Sequence, residues 1–165
     1  RDRGVKFDVG HGGGSFYWYV AAPSIEQGFP PDSISTDLHT KCMNDAMQDM
    51  TNVMSKLLVI GMPLVEVIRK STIDAARVID RTQHGHLSVG ADADVAVLNL
   101  AHGSFGYLDS FDGRLEGDRR LNCELTLKSG EVVWDWNGLS GVDYRDQGDA
   151  NGIREGEELV MPPAA

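Results

Sequence analysis

The sequence predicts an α/β architecture, with parallel strands joined by a crossover helix and followed by an all-strand module. Three observations predict it. Val5, Phe7 and Val9 alternate with Lys6 and Asp8, a period of two that marks a strand over 4–11, and a second short strand, S-I-S-T, lies within 32–36. An apolar, aromatic stretch of helical character separates them, and strands separated by a crossover helix pair in parallel. From Gly85 onward, helical periodicity gives way to alternating strands. Two strand–helix units cannot close a two-sided core. They read as the last units of a larger α/β structure whose earlier units are absent, an expectation shared by the start at Arg1 rather than Met.

The elements follow in order. The first strand ends in Gly-His-Gly-Gly-Gly-Ser-Phe, a run that regular structure does not tolerate, so 10–15 is a loop. Phe16–Gln27 reads as a short helix closed by Gly28, and Phe29-Pro30-Pro31 as a turn. Met43, Met47, Met50, Met54, Leu57 and Leu58 recur at helical spacing up to Gly61, which predicts a helix with a core-facing methionine stripe. Pro63 suits the first turn of a second helix carrying Leu64, Val67 and Ile68, and Ser71-Thr72 a cap for a third, 73–79. The strand module comprises 95–100, 121–127 and 132–136, with Lys128-Ser129-Gly130-Glu131 as a hairpin turn. The acidic, Gly-containing tail, 140–165, is expected to be poorly ordered.

Composition narrows the function classes. Fifteen Lys and Arg against 25 Asp and Glu give a formal charge of −10, so nothing offsets a phosphate backbone and nucleic acid is excluded as a partner. Hydrophobic residues at 41% and charged residues at 24% are ordinary globular values, which argues against wholesale disorder. No apolar run reaches the ~20 residues of a membrane helix. Cys42 and Cys123 stand far apart, neither a disulfide framework nor a zinc knuckle, and fit a reducing cytoplasm.

The candidates for chemistry cluster at strand ends. His11 follows the first strand and Asp37 the second, and in a parallel α/β barrel the carboxyl ends of the strands face one pocket. The spacing equally accommodates Asp37 as a helix cap and His11 as a turn residue. Gly12, Gly13, Gly14 and Ser15 offer backbone N–H groups ahead of a helix, a geometry that binds a carboxylate, a phosphate or an oxyanion. No Lys-Ser/Thr follows, so the run is not a P-loop, nor does it have dinucleotide-loop spacing. His39 lies two residues past Asp37, as a substrate contact or an exposed loop histidine. His84 and His86 flank Gly85 and read as a structural entry turn, His102 as a surface turn residue, and Asp92 and Asp94 as turn carboxylates.

These residues carry a resemblance. G-H-L-S-V-G-A-D-A-D-V-A-V-L at 85–98 resembles the segment by which amidohydrolase-superfamily chains leave their barrel for a small β-sandwich. G-V-K-F-D-V-G-H-G-G-G-S-F at 4–16 and P-D-S-I-S-T-D-L-H at 31–39 are similar to the amidohydrolase/deacetylase metallohydrolases, relatives of dihydroorotase. The resemblance covers about 4–139. It implies the last strands and helices of a (β/α)8 TIM barrel over 1–84 and β-sandwich strands over 85–139. It further implies a divalent metal, zinc in one or two copies. Asp37, the eighth-strand aspartate, becomes metal ligand and catalytic acid/base, and His11, Gly12, Gly13, Gly14, Ser15 and His39 contact substrate. The remaining metal ligands of the family, a His-x-His pair among them, have no counterpart here. The family's Asn-Pro-Ala segment is replaced by Asp74-Ala75-Ala76. The expected activity is hydrolysis of an amide or ester acyl bond in a small carboxylated substrate by a longer, cytoplasmic protein that can form a homo-oligomer, the chain alone being inactive. The competing expectation is a non-catalytic remnant that serves as a binding or structural module.

Overall fold

Val9 and Ile34 lie side by side at the centre of a parallel, two-stranded sheet, flanked by Asp8 opposite Ser33 and Gly10 opposite Ser35. The structure is a computed structural model and describes residues 2–146. Its elements run β1 (Asp8–Gly10), α1 (Trp18–Glu26), β2 (Ser33–Ser35), α2 (Met50–Val59), α3 (Leu64–Ser71), α4 (Ile73–Val78), β3 (Val95–Leu108), β4 (Arg114–Lys128) and β5 (Glu131–Asp135). The second sheet is antiparallel, in the order β3-β4-β5. The chain is thus α/β with a small antiparallel sheet. The expected disorder of the acidic tail falls, for 147–165, outside the described residues.

Helix ends follow the sequence signals closely. Gly28 and Gly61 take φ values of +74° and +100°, which a Cβ disfavours. The two amides that follow each helix fold back on it: Gly28 N–H donates to Ile25 O and Phe29 N–H to Ser24 O, Gly61 N–H to Leu58 O and Met62 N–H to Leu57 O. This is the Schellman closure that satisfies the last carbonyls of a helix.

Two expectations need correction. The methionine stripe does not make one helix from Met43. The helix begins at Met50, because the Asp49 carboxylate accepts Asn52 N–H at 2.6 Å and Thr51 Oγ1 at 2.8 Å and so caps it there. Met47 is buried without helical backbone, whereas Met43 is 60% exposed. Thr72 does not cap α4 either: its hydroxyl donates backward to Ile68 O at 2.8 Å.

The strand module is longer than its apolar pattern. β3 runs on through His102 to Leu108, and β4 starts at Arg114, with register shifts between Val97 and Leu98 and between His102 and Phe105. His102 pairs with Arg119 within the ladder and is no turn residue. Gly103 and Gly106 interrupt the side-chain alternation that would reveal the strand, as glycine does at bulges.

One core joins the two sheets. Phe16, Ile34, Cys42, Met47, Val53, Leu57, Leu58 and Val67 pack together with Leu121 of β4. Leu121 N–H donates to Ser55 Oγ of α2 at 2.9 Å, and Arg119 Nη2 to Leu58 O at 3.1 Å. β4 lies so close to α2 that a Cβ on Gly117 would overlap the Val59 methyl groups. Among the described residues, no helix is long and apolar enough to cross a membrane.

Candidate active site

The loops leaving the carboxyl ends of β1 and β2 meet. Gly12 N–H donates to Thr36 O at 2.8 Å, which extends the strand pairing one step past the sheet. The chain then turns at Asp37, whose φ is +51°, a left-handed conformation that Asp tolerates better than most residues. Its carboxylate lies over Gly12. A Cβ on Gly12 would stand 2.6 Å from Asp37 Oδ2, and one on Gly10 would stand 3.2 Å from Asp37 Cβ. The glycines clear the space this carboxylate occupies. Asp37 is exposed, and among the described residues no hydrogen bond or ion pair engages its side chain.

His11 is where expectation and structure part. It is fully buried rather than turned toward solvent. Its ring stacks on Phe16 with centroids 4.7 Å apart. Nδ1 lies 2.8 Å from Gly12 O, and Nε2 lies 2.7 Å from Lys56 Nζ. Burial, reinforced by the Lys56 charge, lowers the His11 pKa. Lys56, absent from the sequence-derived candidates, is also fully buried. Desolvation lowers its pKa to about 8 against the pull of the Asp109 and Asp45 carboxylates.

The glycine loop is partly committed to itself. Gly12 N–H is taken by Thr36 O, and Ser15 N–H donates to His11 O at 3.2 Å. Among the described residues, no hydrogen bond engages the N–H of Gly13 or Gly14. Gly14 and Ser15 are exposed. At the start of α1, Trp18 N–H is not available to an anion, because it already donates to Asp109 Oδ2 at 3.1 Å. His39 is exposed, with its backbone N–H 3.3 Å from Cys42 Sγ. Cys42 is buried, its sulfur 3.2 Å from His39 O and 3.7 Å from Asp37 O, so it braces the turn between the two.

The structure therefore brings the Asp37 carboxylate against Gly12, leaves Gly14, Ser15 and His39 exposed, and buries His11 between Gly12 O and Lys56. Among the described residues, no group of three or more His, Cys, Asp and Glu side chains could hold a metal ion. A zinc site takes ~3–4 protein ligands, so the residues present do not by themselves fit such an ion. His84 and His86 lie elsewhere, in a cleft of about 710 Å³ with Asp8, Ser33 and Asp92, where His84 Nδ1 is 3.5 Å from Asp92 Oδ2. Lys56 has a sequence signal in retrospect: a charge one helical turn from Val53 and Ile60, on the apolar face of α2.

Comparison with known proteins follows the same lines. The chain is 43% identical over 107 residues to a deacetylase of Brucella anthropi, a match covering 65% of this chain and 27% of that protein. It is 41% identical over 107 residues to a deacetylase of Agrobacterium fabrum, covering 65% of this chain and 26% of that protein. The chain thus spans about a quarter of the length of the curated relatives it matches. A crystal structure of an adenine deaminase superposes with a TM-score of 0.78 at 31% identity, over 82% of this chain and 37% of the other. One of a dihydroorotase gives 0.74 at 35% identity, over 80% and 36%. The profile of the Amidohydrolase family matches residues 30–134, from the approach to β2 through most of β5, and the chain belongs to that family.

Proposed function

We propose that the protein carrying this chain is a hydrolase that cleaves an amide or ester acyl bond in a small carboxylated substrate. β1 and β2 would be the last two strands of its (β/α)8 barrel, 1–84 the end of that barrel, and 85–139 part of a small β-sandwich. The observation that carries the reading is the Asp37 carboxylate. It stands at the carboxyl end of a parallel strand, the catalytic end in α/β barrels, exposed, held over glycine and, among the described residues, without a side-chain partner.

A carboxylate so placed can take a proton from an attacking water and return it to the leaving nitrogen or oxygen, the general acid/base role. The free N–H groups of Gly13 and Gly14 suit the substrate's carboxylate or carbonyl oxygen. Ser15 and His39, both exposed, would complete the contact. Amidohydrolase family members usually use a divalent metal. We assign zinc to the whole protein with Asp37 as one ligand; the other ligands would lie outside this chain, and no step above depends on the ion. The free thiols Cys42 and Cys123 suit a cytoplasmic setting.

The test is turnover by the full-length protein of paired N-acyl and O-acyl amino acids, each with its carboxylate free or amidated. Hydrolysis that prefers the free carboxylate is expected. No hydrolysis of either class by folded, metal-supplied protein would favour a non-catalytic module.

A further inference from the structure

Lys56 is a fully buried ammonium group in the middle of α2; among the described residues it forms no ion pair, and the Asp109 and Asp45 carboxylates act on its charge only from a distance. Instead, Nζ reaches His11 Nε2 at 2.7 Å and Ala46 O at 2.9 Å, and lies 5.7 Å from the centre of the Phe16 ring. Burying a charge away from an ion-pair partner is costly, and a methionine would fill the same space without that cost. The arrangement of atoms gives the charge a use. A carbonyl oxygen only accepts, so the hydrogen between His11 and Gly12 O sits on Nδ1. An ammonium only donates, so His11 Nε2 carries none. The ring is thereby fixed as the neutral Nδ1–H form.

We propose that Lys56 is a positioning residue of the candidate active site: by donating to Nε2 it holds His11 in the Nδ1–H tautomer, and His11 in turn pins the Gly12 peptide on which the Asp37 carboxylate rests. The path is continuous. Lys56 fixes His11, His11 Nδ1 grips Gly12 O, Gly12 N–H holds Thr36 O, and Asp37 lies against the Gly12 face. The same Nζ holds Ala46 O in the segment between Asp37 and α2, so one cation ties both active-site loops to a core helix. Second-tier hydrogen bonds to a ring nitrogen act in this manner in many enzymes. This inference rests on the hydrolase reading for its consequence, though not for its geometry.

The experiment is long-range 1H–15N spectroscopy of the full-length protein with 15N-labelled histidine, the His11 signals being those lost in His11→Gln. Wild type should show a protonated Nδ1 and a bare Nε2. Lys56→Met should move the ring toward the Nε2–H form and lower kcat by ~10–100-fold, the scale for such outer contacts, with KM changed far less. Wild-type His11 protonated on Nε2 would overturn the proposal by itself, even where the Met variant fails to fold. A Met variant with unchanged tautomer and unchanged kcat would overturn it too. Should the tautomer shift while Asp37→Asn leaves turnover intact, the coupling stands and the role given to Asp37 falls.

Discussion

At Gly12 the backbone is left-handed, with φ +47°, and the Asp37 carboxylate occupies the volume where a Cβ would be. Both facts forbid a side chain there. A non-glycine residue in this conformation costs ~1–2 kcal/mol, and the overlap must further displace Asp37. Gly12→Ala should therefore lower unfolding stability by at least ~1 kcal/mol and cut kcat by up to ~10²-fold, as a misplacement of about 1 Å can. Gly90→Ala is the control, since its φ is +88° and a Cβ there meets nothing within 4 Å; it should lower stability alone and leave kcat close to wild type. Equal losses of kcat in the two variants would show that Gly12 acts only through stability. Asp37 was legible because a strand-end aspartate is visible in the sequence. The inward turn of His11 was not, because its burial depends on Phe16 and on Lys56, 45 residues away.

The β3–β4 hairpin grips the segment that follows the glycine loop. Asp109 Oδ1 accepts Phe111 N–H and Gly113 N–H at 2.9 and 2.8 Å, and Oδ2 accepts Trp18 N–H. Ser110 exchanges bonds with the Phe16 backbone, and Trp18 Nε1 donates to Gly113 O at 2.8 Å. Burial opposes ionisation of Asp109, but the three backbone donors outweigh it and hold its pKa below the ordinary carboxylate value. A depressed folded-state pKa contributes stability above the unfolded value of ~3.9 that is lost as pH falls through the folded one. Asp109→Asn should thus cost ~1–3 kcal/mol near neutral pH and flatten the acid limb of stability below pH ~4. Urea titrations at pH 3 and pH 7 check it; an unchanged difference between the two pH values would show that Asp109 does not anchor the hairpin.

This element-level contact was hidden from sequence for a physical reason. Gly103 and Gly106 break the alternation through which β3 is recognised, so the sequence pattern ends at Leu100 and hides the far end of the strand and the turn beyond it, where Asp109 meets Trp18. Helix closures were easy because Gly28 and Gly61 signal themselves locally. The start of α2 was hard, because the methionine spacing persists across the non-helical residues before Asp49 while Met47 stays buried.

At the scale of the molecule, the described residues leave much apolar surface uncovered. Val5 and Phe7 beside β1 are 47% and 39% exposed, and Val133, Trp134 and Trp136 at β5 are 61%, 54% and 56% exposed. Parallel sheets are normally covered on both faces, and here Ile34 of β2 is buried in the core while the residues beside β1 stay exposed. These are the surfaces that the proposed barrel and sandwich would bury, in keeping with relatives about four times as long as the matched segment. The proposed catalysis likewise belongs to the whole protein, in which Asp37 of this chain would be the proton carrier. The most direct measurement is kcat of the full-length protein and its Asp37→Asn variant on the best acyl substrate, with unfolding midpoints measured alongside. The account predicts a loss of at least ~10²-fold in kcat, the usual scale for a general acid/base, in a variant that keeps its fold. Turnover within a few-fold of wild type would contradict it.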